Sequence, residues 1–154
     1  MSRSVLLAEA RIPDTAKSLL LYQHKDKFSI VIPGRGELMN SRVHGSERAL
    51  AELACERMGQ PAKPRLLVGG LGMGFTQAAA LAATGPDAEI VAAELVPEVV
   101  DWHREWIGEP ANWVQLALQP SAVRRRSCRN RPITGSLACF VVRLATTGEN
   151  RAKF

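Results

Sequence analysis

The segment RLLVGGLGMGF, residues 65 to 75, limits the possible folds more than any other stretch of the chain. Gly69, Gly70, Gly72 and Gly74 fall within six residues, directly after a short apolar run. Glycine accepts positive φ and lets another group approach bare backbone. A strand that turns through such residues into a helix exposes the first N–H groups of that helix as a concave set of donors. The flanking pattern supplies both elements. Residues 65–68 read as a strand and the alanine-rich residues 75–83 as a helix. A turn at Gly85-Pro86-Asp87 leads to a second strand, EIVAAE at 89–94. A second helix is expected over 97–106, with Pro97 suited to its first turn. Strand–helix–strand–helix implies a parallel sheet with right-handed crossovers.

Glu94 ends the second strand, 20 residues after Gly74. An acid at that point can accept hydrogen bonds from both hydroxyls of a ribose. Strand, glycine turn, helix, strand and terminal acid together make a nucleoside-binding unit. A dinucleotide fingerprint asks for G-x-G-x-x-G/A. Counted from Gly70 its last position is Phe75, and counted from Gly72 it is Gln77, so a nicotinamide dinucleotide is disfavoured. The G-x-G-x-G spacing at Gly70, Gly72 and Gly74 is closer to S-adenosylmethionine-type loops. The competing reading is a turn that serves only tight strand–helix packing.

Ahead of this unit, residues 19–23 and 28–32 read as two strands around a turn at Lys25-Asp26-Lys27. After Pro33-Gly34-Arg35-Gly36, residues 37–40 suggest a third short strand. The N-terminus is therefore expected to be a small β-hairpin or meander. Ser46 is a candidate helix cap. Residues 47–58 are rich in good helix formers, with Leu50, Leu53, Ala54 and Met58 near one face. Gly59, Pro61 and Pro64 close the helix and form a linker.

From about Leu19 to Trp106 the chain resembles the spermidine synthase family, polyamine aminopropyltransferases with a methyltransferase-like fold. The likeness rests on the N-terminal β region, the stretch MNSRVHGSE at 39–47, LLVGGLGMG at 66–74 and VAAELVPEVV at 91–100. It implies that Glu94 binds the ribose of decarboxylated S-adenosylmethionine, and that His44 matches the histidine bordering the active site. It also implies a polyamine acceptor. The chain departs from the family's pattern at several points. Gly72 stands where the family has an aspartate that helps to bind the aminopropyl donor, and Val43 stands where it has a tyrosine. The family also places catalytic aspartates in its C-terminal half, to bind the amine and remove its proton. From Gln115 to Phe154 this sequence has no aspartate, and its one acid is Glu149.

The same region carries the charge excess. Through Gln115 there are 12 basic and 14 acidic residues, and after it 8 basic and one acidic. A basic tail can bind anionic surfaces or nucleic acid. These arginines lack interleaved aromatics, so base stacking is not suggested. A bland solvated tail is a second reading. The third is that residues 114–154 are translated out of the ancestral frame. A one-base shift removes acids, favours arginine and cysteine, and can turn an Asp-Asn-Gly stretch into Thr-Thr-Gly, as at Thr146-Thr147-Gly148. Within this tail, residues 138–142 suggest a strand on their own.

Cys55, Cys128 and Cys139 form no Cys-x-x-Cys pair, and no histidine has zinc-ligand spacing. No apolar run reaches the roughly 18 residues of a membrane span. A cytoplasmic protein without metal is expected. His103, between Trp102 and Trp106, reads as structural or solvent-facing, and the two tryptophans as core cover.

Three segments are expected: a β region over 1–45, a nucleoside-binding α/β core over 46–113 and an irregular basic tail. The fold class is α/β, with a partial Rossmann-like, methyltransferase-type parallel sheet. The function implied is a spermidine synthase-like transferase using decarboxylated S-adenosylmethionine or S-adenosylmethionine as co-substrate. A methyltransferase and an inactive nucleoside-binding remnant are the alternatives. So few strands leave apolar faces uncovered, so marginal stability or association with another chain is expected.

Overall fold

The computed structural model describes residues 3–85, 87–107, 124–127 and 138–144. The chain is a mixed α/β protein built on two sheets. The first is a four-stranded antiparallel meander: β1 (Val5–Arg11), β2 (Ser18–His24), β3 (Lys27–Ile32) and β4 (Gly36–Asn40). It is one strand larger than the expected hairpin or meander. Only Ala10 of β1 is buried, while Val5 and Leu6 are exposed, so this strand has no clear alternation to read. In β2 and β3 the inward residues Leu19, Leu21, Phe28 and Ile30 alternate with more exposed ones, which is the period-two signature of a half-buried sheet. The β2–β3 turn places Lys25 at φ 55, and the Gln23 side chain donates to its carbonyl at 2.9 Å.

Helix α1 (Gly45–Met58) follows. Ser46 does not cap it. The N-cap residue is His44, and the Ser46 hydroxyl instead donates to Glu47 Oε2 at 2.7 Å. The expected apolar face is also reversed. Ala51 and Cys55 are buried, whereas Leu50 and Leu53 are 63% and 56% exposed and Ala54 and Met58 also face out. Residues four apart share one helix face. Here the small pair lies inward, and small side chains permit close approach to the alanine-rich α2 (Phe75–Thr84), against which α1 packs.

The second sheet has the order β5-β6-β8-β7. Strands β5 (Arg65–Gly69) and β6 (Glu89–Glu94) are parallel, joined through α2 as expected. Arg65 Nε donates to Glu89 Oε2 at 2.8 Å across the first register pair. The sheet is not parallel throughout. β8 (Ala138–Leu144) runs antiparallel to β6, and β7 (Arg124–Ser127) antiparallel to β8. Residues 138–142 are thus part of a strand, but not one on its own. Residues 124–127 pair as well, although their sequence has no apolar period. An unpaired flank of β6 would leave a row of backbone donors and acceptors unmet, and β8 meets them. The expectations for the remaining tail, including Thr146-Thr147-Gly148, lie outside the described residues.

After β6 comes α3 (Pro97–Trp102), with Pro97 in its first turn. It does not continue as an α-helix to Trp106. From His103 to Ile107 the chain forms a π-helical turn. Trp102 is buried and Trp106 packs against the core, so both tryptophans cover apolar residues. One core cluster unites the two sheets, from Leu21 and Ile30 through Ile90 and Ala92 to Val99 and Trp102. Among the described residues no helix is long and apolar enough to cross a membrane.

Candidate functional site

The glycine turn joins β5 to α2, and its shape follows from three left-handed residues. Gly70, Gly72 and Gly74 have φ of 87, 53 and 79°. Gly74 is the N-cap of α2. Gly69 has no positive φ, so backbone freedom does not explain it. A Cβ at Gly69 or Gly70 would meet nothing within 4 Å, so the backbone there is open to an approaching group. Gly72 differs: a Cβ there would lie 2.9 Å from Met39 Sδ. The absence of a side chain at 72 thus serves contact with β4. The four glycines divide into an open pair and a packed position beside the helix cap.

Glu94 stands at the end of β6 and turns back toward this loop. The residue is buried, at 8% exposure. Oε2 accepts the Leu71 N–H at 2.7 Å, and Oε1 accepts the N–H groups of Leu95 and Val96 at 2.8 and 2.9 Å. The expected meeting of the acid with the glycine turn is therefore realised through a backbone amide. A carboxylate offers about four acceptor positions. Three are filled, and the fourth is on Oε2.

Two side chains that the spacing did not single out hold the loop from behind. Gln77, 1% exposed on α2, donates Nε2–H to the Gly70 carbonyl at 2.7 Å. His103, 5% exposed, places Nε2 at 2.8 Å from the Gly72 carbonyl. A carbonyl oxygen only accepts, so Nε2 carries the proton. Burial pushes the His103 pKa below the usual histidine range, against the opposing effects of the Gly72 carbonyl and of Glu94. The ring is thus neutral at pH 7, and Nδ1 is a bare acceptor without a partner among the described residues.

Further loop bonds run from Gly70 N–H to the Ala93 carbonyl at 2.7 Å and from Gly74 N–H to the Leu71 carbonyl at 2.8 Å. Among the described residues no hydrogen bond uses the N–H of Gly72 or Met73. Among the described residues these two amides are spare donors of the loop.

His44 borders the same region. Its ring stacks on Phe75, the first residue of α2, with centroids 4.1 Å apart and planes 13° from parallel. Met39, His44 and Phe75 thus bring the N-terminal β region and the start of α1 against the loop. Cys55 is buried, and burial pushes its thiol pKa up, so it is not an activated nucleophile.

No protein-family model matches the chain, and neither a curated protein nor a solved structure does.

Proposed function

We propose that the chain binds an S-adenosylmethionine-type nucleoside across Gly69–Gly74 and Glu94, as the nucleoside-binding part of a spermidine synthase-like transferase with a Rossmann-like, methyltransferase-type core. The observation that carries this reading is Glu94. The carboxylate of buried Glu94, at the end of β6, meets a glycine turn whose positions 69 and 70 are open. A ribose hydroxyl can donate to the fourth acceptor position on Oε2. A second ribose bond requires one backbone amide to withdraw, and Leu71 is the donor on the loop side.

The bound nucleoside supplies a sulfonium that activates its neighbouring carbons toward a nucleophile. The chain's own part is positioning and exclusion of water. His44 stacked on Phe75 walls one side of the loop. The resemblance assigns an aminopropyl transfer to a polyamine. One observation favours methyl transfer or binding alone. The family's donor-binding aspartate would stand at 72, where a side chain meets Met39 Sδ.

Calorimetric titration with S-adenosylmethionine, its decarboxylated form and methylthioadenosine tests the proposal. Saturable binding of at least one, lost in Glu94→Ala, is expected. Preference for the decarboxylated compound supports aminopropyl transfer, and preference for S-adenosylmethionine supports methyl transfer. If none of the three binds, the nucleoside reading is wrong.

A further inference from the structure

A peptide group is planar and trans, so its C=O and N–H point in opposite directions. Holding the oxygen therefore aims the hydrogen. The glycine turn uses this twice. Gln77 holds the Gly70 carbonyl, and the N–H of the same peptide, that of Leu71, reaches Glu94 Oε2. His103 holds the Gly72 carbonyl, and the N–H of that peptide belongs to Met73. The first aimed amide has an oxygen acceptor inside the protein. The second has none among the described residues.

We infer that His103 is a positioning residue: by donating Nε2–H to the Gly72 carbonyl it aims the Met73 N–H away from α3, as a donor for an oxygen or nitrogen acceptor of the bound ligand. This rests on the nucleoside reading for the identity of the ligand, but not for the geometry. Three observations support it. The imidazole is kept at 5% exposure, and its Nδ1 has no partner among the described residues. His103 also begins the π-helical turn, where the regular α-helical backbone register is broken. Gly72 packs against Met39 on its Cα side, so the peptide is fixed there as well.

The test compares the full chain with His103→Met and His103→Gln. Methionine fills similar volume without a donor. Glutamine carries an N–H the same number of bonds from Cβ as Nε2. Methylthioadenosine affinity is measured by calorimetry, and the Met73 amide is followed by NMR shift and hydrogen exchange. In His103→Met the affinity is expected to fall roughly tenfold, equivalent to about 1.4 kcal/mol. The Met73 amide is expected to shift and exchange faster, and His103→Gln restores both. Equal losses in both variants, or a change in melting temperature with affinity and the Met73 amide untouched, overturns the inference. If the wild-type chain binds no nucleoside, that reading fails separately. The Met73 amide then decides: a change in Met reversed by Gln supports the positioning role, and an unchanged amide refutes it.

Discussion

The Glu94 carboxylate accepts the Leu71 N–H at 2.7 Å across 23 residues of chain, which ties the end of β6 to the middle of the glycine turn. Two further amides, of Leu95 and Val96, fill two more of its acceptor positions. The same side chain shapes the loop and, in the proposed reading, offers the acceptor for a sugar. These two roles separate on substitution.

Glu94→Gln replaces one acceptor oxygen with an NH2 group that faces backbone donors. The expected loss is about 1–3 kcal/mol of stability, because buried N–H groups are left unmet. Urea unfolding measures it. Nucleoside affinity is expected to fall by a larger factor than a comparably destabilising substitution far from the loop produces. Equal affinity in the folded variant removes Glu94 from the site.

The open and packed glycines give opposite results. Gly72→Ala adds a Cβ 2.9 Å from Met39 Sδ at a φ of 53°. It is expected to destabilise by about 1–3 kcal/mol, from strain and overpacking together. Gly69→Ala meets nothing within 4 Å and has ordinary φ, so its melting temperature should stay close to wild type. Its nucleoside affinity should drop, because the new methyl group covers bare backbone. Unchanged affinity in Gly69→Ala means the ligand does not approach there.

His103 gives a pH dependence of stability. Its folded pKa lies below the usual value of 6.5, chiefly through burial. Between that depressed value and about 6.5 the unfolded chain binds more protons than the folded one, so stability falls as pH is lowered through this window. Above about pH 7 the contribution is flat. Denaturant midpoints measured from pH 5 to 8 should show this slope in wild type and a smaller one in His103→Gln. Identical slopes remove His103 as the source.

Leu50, Leu53 and Leu67 are 63%, 56% and 74% exposed. Low stability or self-association is the expected result of so much uncovered apolar surface. Light scattering across a concentration series and calorimetry check it together. A monomer with a high, cooperative melting transition contradicts it.

Much of the local architecture was legible in the sequence because its causes are local. The run from Arg65 to Glu94 shows strand, glycine turn, helix and strand through apolar runs, left-handed glycines and strong helix formers. The meeting of Glu94 with the turn was legible too, since a parallel β–α–β unit brings the C-terminal ends of both strands to one edge. Strand β1 is not legible because Val5 and Leu6 face solvent, and neither is the inward face of α1, because small residues, not leucines, fill it.

The sequence by itself determined which backbone positions can turn and which acid lies beyond them, because φ preference and strand periodicity act over a few residues. Only the tertiary structure decided what those positions touch. Met39 against Gly72, Gln77 on the Gly70 carbonyl, His103 on the Gly72 carbonyl and β8 antiparallel to β6 all depend on how separate elements pack. No spacing rule encodes such contacts, because packing couples residues by shape and unmet hydrogen bonds and not by their distance along the chain.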